Sequence, residues 1–206
     1  MIIIGSGGHA KVIIDILRSS KLCEPIGLTG TDSNLKTIMG LPVIGDDSVL
    51  PQIYAEGVKY AFVAIGDNKK REEISDHIKE LGLRLINAIS PYSYVSSSVE
   101  LGEGIAIMPG AVINAESAVE DNAIINTGAT IDHDCIIGSS SHVAPGCNIA
   151  GNVRIGRGVF LGIGCKVIPK MSIGDWTTLG AGSVVVEDLP SHAVAFGVPA
   201  KMVKKL

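Results

Sequence analysis

Aromatic residues are scarce in this 206-residue chain: three Phe, four Tyr and one Trp amount to 4% of it. A core with so few rings must be filled by aliphatic and small side chains, which suggests a repetitive architecture. Neither charge dominates. Seventeen Lys and Arg stand against 21 Asp and Glu, for a net charge of −4 and a pI of about 5.7. With no basic stripe to follow a phosphate backbone, nucleic acid is not an expected partner. Mean hydropathy is +0.38, yet no apolar run approaches the roughly 20 residues that span a bilayer. The opening "MIIIGSGG" has neither the charged n-region nor the long apolar h-region of a signal peptide, so the expected compartment is the cytoplasm. The four cysteines, Cys23, Cys135, Cys147 and Cys165, match no zinc pattern and no CxxC redox pair.

What the chain does have is a period of six. Every sixth residue from Val95 to Val185 is Val, Ile or Leu, sixteen positions in succession. On an α-helix six residues turn the chain by about 600°, which scatters the series over several faces. On a strand six is even, so every member points the same way. The repeat is therefore β. A strand of this length must coil upon itself, so that each rung pairs with the next, as in a β-solenoid.

Counting the aliphatic residue as position one of a hexad, position four is glycine at Gly104, Gly110, Gly128, Gly146, Gly158, Gly164 and Gly182, with Asn122 in the same phase. These types tolerate the positive φ of a tight corner. Position five is often small, and alternation turns it inward. Cys135, Cys147 and Cys165 fall in this slot, so their expected role is core packing.

Residues 1–88 lack the repeat. "MIII" reads as a buried strand, "GSGGHAKVIIDILRSS" as a tight turn into a helix, and "EPIGLTG", "LPVIG", "KYAFVAIG" and "RLINAIS" as strands. "NKKREEISDHIKELGL" reads as an amphipathic helix with Ile74, Ile78 and Leu81 on one face. Alternating β and α predict a small Rossmann-like parallel sheet. Gly5-Ser6-Gly7-Gly8-His9-Ala10 fits G-x-G-x-x-A at a helix start, which turns backbone N–H groups toward phosphate. A purely structural glycine turn would look the same. An acid is not evident at the end of the second strand, where "GLTGTD" stands, so a dinucleotide is not expected.

The set "GSGGHAKV", "NTGATIDHDCIIG", "SHVAPG", "AGNVRIG", "FLGIG", "LGAGS" and "GVPAK" resembles the NeuD/PglD-type sugar acetyltransferases across the whole chain. The resemblance implies an α/β N-terminal domain at 1–88 that binds a sugar nucleotide. It implies a left-handed parallel β-helix at 89–206 that binds acetyl-CoA, together with the C-terminal tail. The activity implied is acetyl transfer, with no metal, to a nucleotide-linked 4-amino sugar, expected to carry UDP. The alternative is O-acetylation of sialic acid or another sugar. A homotrimer is implied as well.

The resemblance places a general base at His133, oriented by Asp134, with Asp132 as a competitor for that role. It places an oxyanion donor at the Gly151 N–H. It places His142, Ile163 and Ala181 along the coenzyme. Lys201, in "GVPAK", is a candidate either for a coenzyme phosphate or for a plain solvated lysine. Gly7, Gly8, His9 and Gly66 fall at the sugar nucleotide. The chemistry suits these types. Attack of an amine on a thioester needs a proton acceptor that titrates near neutrality, and a carboxylate on the other ring nitrogen fixes the tautomer. The family's paired acids after the second strand are replaced here by Thr29-Gly30. Two further readings use the same scaffold. One is a zinc hydratase, which would need His133, His142 and His192 to converge on a metal. The other is a non-catalytic assembly protein in which His133 is a solvated corner histidine.

Overall fold

A computed structural model of the chain describes residues 1–32 and 34–205. It divides into two compact units, Met1–Pro91 and Tyr92–Leu206, three residues beyond the expected 88/89 boundary.

The first unit opens with β1 (Ile2–Ile4) and α1 (Gly8–Ser20). Next come β2 (Leu28–Thr29), β3 (Thr37–Ile38), β4 (Leu41–Gly45), a 3-10 turn (Asp47–Val49) and α2 (Leu50–Ala55). It closes with β5 (Tyr60–Val63), α3 (Asn68–Glu80) and β6 (Arg84–Leu85). The sheet order is β3-β4-β2-β1-β5-β6, parallel except for the short β3–β4 hairpin. "MIII" is central because both neighbours need it: β2 pairs on one side and β5 on the other. Its three isoleucines are fully buried, as a strand covered on both faces requires.

Several elements differ from expectation. "EPIGLTG" yields only two strand residues, and "RLINAIS" breaks into Arg84–Leu85 and Ala88–Ile89. The 3-10 turn and α2 carry too short a pattern for periodicity to reveal. In α3, Ile78 is buried as expected, but so are Arg71 and Ser75. The helix thus turns a guanidinium inward, which a hydropathy pattern does not anticipate.

The second unit is the β-solenoid that the hexads imply, with the left hand that the family resemblance implies, an exception to the right-handed rule for parallel crossovers. Each two-residue strand pairs in parallel with the strand eighteen residues on, for example Val112↔Thr130 and Thr130↔Asn148. Three hexads thus make one coil, and three flat faces stack. The first face includes Ile124, His142 and Phe160, the second Val112, Thr130 and Asn148, and the third Ala118, Ile136 and Arg154. Ala193–Gly197 continues the first face and turns back as an antiparallel hairpin with Ala200–Lys205.

From Ile107 to Val185 every position-one residue is at most 3% exposed. Val95 and Leu101, on the uncovered first coil, are only half-buried. At position four, every residue from Gly104 to Gly182 has positive φ, whatever its identity; Glu116, Asp134, Ser140, Asn152, Lys170 and Trp176 all do. The corner geometry is imposed by closure of the coil, and glycine only makes it less costly.

The position-five slot has a second property. Five of its members donate a hydrogen bond to the corner carbonyl fifteen residues on. Ser117 Oγ reaches Asp132 O, Ser141 Oγ reaches Gly156 O, and the Cys135, Cys147 and Cys165 thiols reach Ala150, Gly162 and Gly180 O at 3.1–3.2 Å. The three thiols are wholly buried, so they pack the core and also satisfy carbonyls that have left the strand ladder.

Candidate functional site

Inward residues build the prism, so its chemistry is confined to the corners and outer faces. The corner after Thr130–Ile131 reads Asp132-His133-Asp134. Asp134 occupies the left-handed position, φ 58°, a conformation aspartate tolerates better than most residues. That backbone turns the short carboxylate back toward the preceding side chain. Asp134 Oδ2 lies 2.6 Å from His133 Nδ1. Asp132 faces elsewhere: its Oδ1 accepts the His133 backbone N–H at 2.9 Å and the Asn114 amide at 3.2 Å. Asp134 therefore orients the ring, and Asp132 holds the corner backbone. The hydrogen bond that His133 donates to Asp134 is the main influence raising its pKa above that of an ordinary histidine; desolvation opposes it, and the charges of Asp132 and Asp134 add to it.

Gly151 stands one coil further on, directly against the imidazole. A Cβ built there would lie 2.7 Å from His133 Cε1 and 2.8 Å from Nε2. Its carbonyl accepts the Lys170 N–H, while its own N–H meets no acceptor among the described residues. One corner thus brings together an imidazole, a carboxylate on its far nitrogen and, against its near one, a glycine whose N–H is open.

The other predicted coenzyme residues lie elsewhere on the prism. His142 is half-buried on the first face, edge-on to Phe160 with ring centroids 5.3 Å apart. Asn126 Oδ1 accepts the Thr127 N–H at 2.8 Å, so its Nδ2 is the group that meets His142 Nε2 at 2.9 Å, and that nitrogen is the acceptor. Asn126 went unnoticed in the sequence; it follows Ile125 at position two of its hexad, the place Asp132 takes in the next. Ile163 and Ala181 are exposed, stacked on the corner that ends the first face. This is a different edge of the prism from the His133 corner. One chain does not bring the two together. His192 sits on the third corner, and among the described residues no three His, Cys, Asp or Glu side chains gather as metal ligands. Lys201 pairs with Glu187 at 2.7 Å.

In the first unit the loops after β1, β2, β4 and β5 surround a cavity of about 490 Å³, lined in part by Gly7, Gly8, His9, Gly30, Asp47, Gly66 and Lys70. All four predicted residues are therefore in one place. Gly7 caps α1, whose first turn has neither a side-chain cap nor an acid, leaving N–H groups open at its positive end. A Cβ at Gly7, Gly8 or Gly66 would meet nothing within 4 Å, so the space over the turn is free. His9 is held neutral: burial, then the charge of Arg71, lower its pKa to about 4. Its Nε2 is buried with no hydrogen-bond partner among the described residues. Arg71 donates to the Ile65 and Gly66 carbonyls at 3.0 and 3.1 Å and to Asn68 Oδ1 at 2.8 Å, which fixes the loop after β5. Asp47 and Lys70 are additions that the sequence pattern did not single out.

Fold and corner together define a hexapeptide-repeat acyltransferase. Residues 1–78 match the family model of the PglD N-terminal domain. Over 98% of this chain and 96% of the other, the structure is similar to PerB from Caulobacter crescentus in complex with CoA and GDP-perosamine, at 47% identity and a TM-score of 0.95. The acetyltransferase domain of PglB from Neisseria gonorrhoeae is 33% identical over 98% of both chains, with a TM-score of 0.89. It has also been solved with acetyl coenzyme A. A shorter match, 34% identical over 115 residues, is to an uncharacterized protein of Acanthamoeba polyphaga mimivirus and spans 22% of that curated relative. The chain belongs to the PglD/NeuD-type family of sugar acetyltransferases. No helix among the described residues is long and apolar enough to cross a membrane.

Proposed function

We propose that the protein transfers the acetyl group of acetyl-CoA directly to the amine of a nucleotide-linked 4-amino sugar, with His133 as general base. The observation that carries this reading is the 2.6 Å Asp134–His133 bond on a corner floored by Gly151. The sugar amine attacks the thioester carbonyl. His133 Nε2 takes the ammonium proton as the C–N bond forms, and Asp134 stabilises the imidazolium on the other side. The Gly151 N–H donates to the oxyanion of the tetrahedral intermediate. Collapse expels the CoA thiolate, which leaves with the proton.

His142, Ile163 and Ala181 line the coenzyme. Because Ile163 and Ala181 occupy a different prism edge from His133, the complete site needs the edge of one copy against the corner of the next. A homotrimer provides this three times over. Gly7, Gly8, His9 and Gly66 hold the sugar nucleotide, with the α1 N-terminus directed at its phosphates. Both substrates are cytoplasmic metabolites, and that is where we place the enzyme. GDP-perosamine, the amino-sugar ligand of the PerB structure, supports amine over hydroxyl as acceptor, and nothing favours sialic acid.

The test is acetyl-CoA consumption against a panel of nucleotide-linked amino sugars together with free and CMP-linked sialic acid. Turnover confined to the amino sugars is expected; turnover confined to sialic acid would refute the assignment. Light scattering at micromolar concentration should give three chains per particle, and an active monomer would contradict the shared site.

A further inference from the structure

Turns of the prism can close on themselves. On the corner that ends the first face, the Ala129 N–H donates to Asn126 O at 3.0 Å and the Cys147 N–H to Ala144 O at 3.3 Å, position five to position two of one hexad. The His133 corner makes no such bond among the described residues; both groups turn to a hydroxyl one coil below. The Cys135 N–H donates to Ser117 Oγ at 3.1 Å, and the Ser117 hydroxyl donates to Asp132 O at 2.8 Å. A hydroxyl carries one donor and two lone pairs, so it serves both at once. Ser117 is buried, and it spans the two ends of the stretch that carries the imidazole and its carboxylate. Between those ends, His133 O accepts the Asn152 N–H at 3.0 Å and the Asp134 N–H donates to Ala115 O at 3.1 Å, bonds repeated at other corners, as from the Gly128 N–H to Pro109 O. Asn114 also reaches this corner, but it meets only the Asp132 carboxylate, at 3.2 Å. Ser117 holds main chain, on both sides of the ring.

We propose that Ser117 is a positioning residue for acetyl transfer, its hydroxyl fixing the main chain on both sides of His133 so that the ring stays between Asp134 and Gly151. This rests on the reading of His133 as general base above. Ser117 itself faces the inside of the coil and acts only through the corner. Without the hydroxyl, the Cys135 N–H and the Asp132 carbonyl lose their partner inside the coil, a cost that the corner lowers only by shifting. The ring tolerates little shift: its Nδ1 holds Asp134 at 2.6 Å, and its other side leaves no space for a Cβ on Gly151. Thr177 makes the same bridge on the third corner, away from His133. Its hydroxyl donates to Pro190 O at 2.6 Å, and the Ala193 N–H donates to its Oγ1 at 3.2 Å.

The test compares Ser117→Ala with Thr177→Ala in acetyl-CoA consumption, using the nucleotide-linked amino sugar that the unaltered chain turns over fastest. Ser117→Ala should lower kcat about 10- to 100-fold, with KM for both substrates within about threefold. Thr177→Ala loses the same pair of bonds, so its Tm should fall by a similar amount while kcat stays. Ser117→Thr should restore kcat, since Thr177 completes the same bridge. The His133 pKa, followed through its ring Cε1–H resonance, should fall toward that of an ordinary histidine in Ser117→Ala, as the Asp134 bond loosens, and hold in Thr177→Ala. Equal kcat in the two alanine variants, a loss carried by KM, an unmoved His133 pKa or no recovery in Ser117→Thr would each overturn the proposal. Wild-type turnover in His133→Ala would refute the base and this role with it, whereas an inactive His133→Ala beside a fully active Ser117→Ala strikes Ser117 alone. If no sugar of the panel is acetylated, the acetyl-transfer reading fails and this role falls with it. Should Ser117→Ala not fold, as judged by circular dichroism, Ser117→Cys decides. The slot holds a thiol at Cys135, which reaches Ala150 O at 3.2 Å; so long a bond should lower kcat several-fold, and an unaltered kcat would overturn the proposal.

Discussion

The two units position their reactive groups by opposite means. In the prism, place follows from phase. Positions one and five of each hexad face inward, position four turns the corner with positive φ, and the exposed side chains come from the corners and outer faces. His133 and Asp134 are adjacent in sequence and in space. In the first unit the groups come from the ends of separate strands, and the Thr29–Asp47 contact joins residues eighteen apart through the sheet. A periodic scaffold makes its site locally legible, whereas an open sheet hides its site in the topology.

If this contrast is right, substitutions in the prism should have effects that follow hexad position. The largest is expected at His133. His133→Ala should lower kcat by ~10²–10⁴-fold, the usual worth of a general base, with acetyl-CoA affinity kept in a direct titration. Wild-type turnover would remove the base from the mechanism. Next is Gly151→Ala. Gly151 has no positive φ, so alanine suits the backbone, and the added methyl acts only by pushing the His133 ring. A displacement of this size should cost about 10²-fold in kcat, and an unaffected rate would show that the ring's place over Gly151 is immaterial.

A third change separates orientation from removal. The active form of His133 is neutral, so the rate should fall as pH drops through its raised pKa. Asp134→Asn removes the main cause of that rise, so the acid limb of the pH–rate profile should move to lower pH while the plateau drops. A limb that stays in place would assign the titration to another group.

Smaller effects are expected from groups that serve structure. Cys135→Ser keeps a donor for the Ala150 carbonyl, so stability should change by no more than about 1–2 kcal/mol in urea denaturation, with kcat unchanged. Loss of activity in a folded Cys135→Ser protein would point instead to an acyl intermediate on the Cys135 sulfur. In the first unit His9 is neutral when folded, with a pKa of about 4, and titrates near 6.5 when unfolded. Between those values the unfolded chain binds more protons, so stability should fall as pH drops from about 6.5 to 4. His9→Gln should flatten that part of a Tm-against-pH curve, and an unchanged slope would mean that other groups dominate it.

How much could be read beforehand follows the same division. The coil length, the inward columns, the slot of the cysteines and the exposure of His133 all follow from a period of six. The choice between Asp132 and Asp134 did not, because it depends on a corner φ that only closure of the coil imposes. Nor could the period disclose that the cysteine slot donates to carbonyls. In the first unit the glycine turn was legible because it is contiguous. Asp47, Lys70 and the buried Arg71 were not: each is a polar residue whose sequence neighbours mark only a turn or a solvated helix face, and only the pairing of β4 with β2 and the packing of α3 gives them a place.

The unbroken run of left-handed corners has a consequence for descent. Each corner from Gly104 to Gly182 already holds the backbone turn that lets a carboxylate reach back to the preceding side chain. A His–Asp pair at such a corner therefore needs two point substitutions and no change of fold, while the same pair on a helix or a flat strand would need the backbone rebuilt. Lineages with this architecture can relocate a reactive dyad by mutation from one rung to another, or add a rung of eighteen residues, and keep the geometry intact.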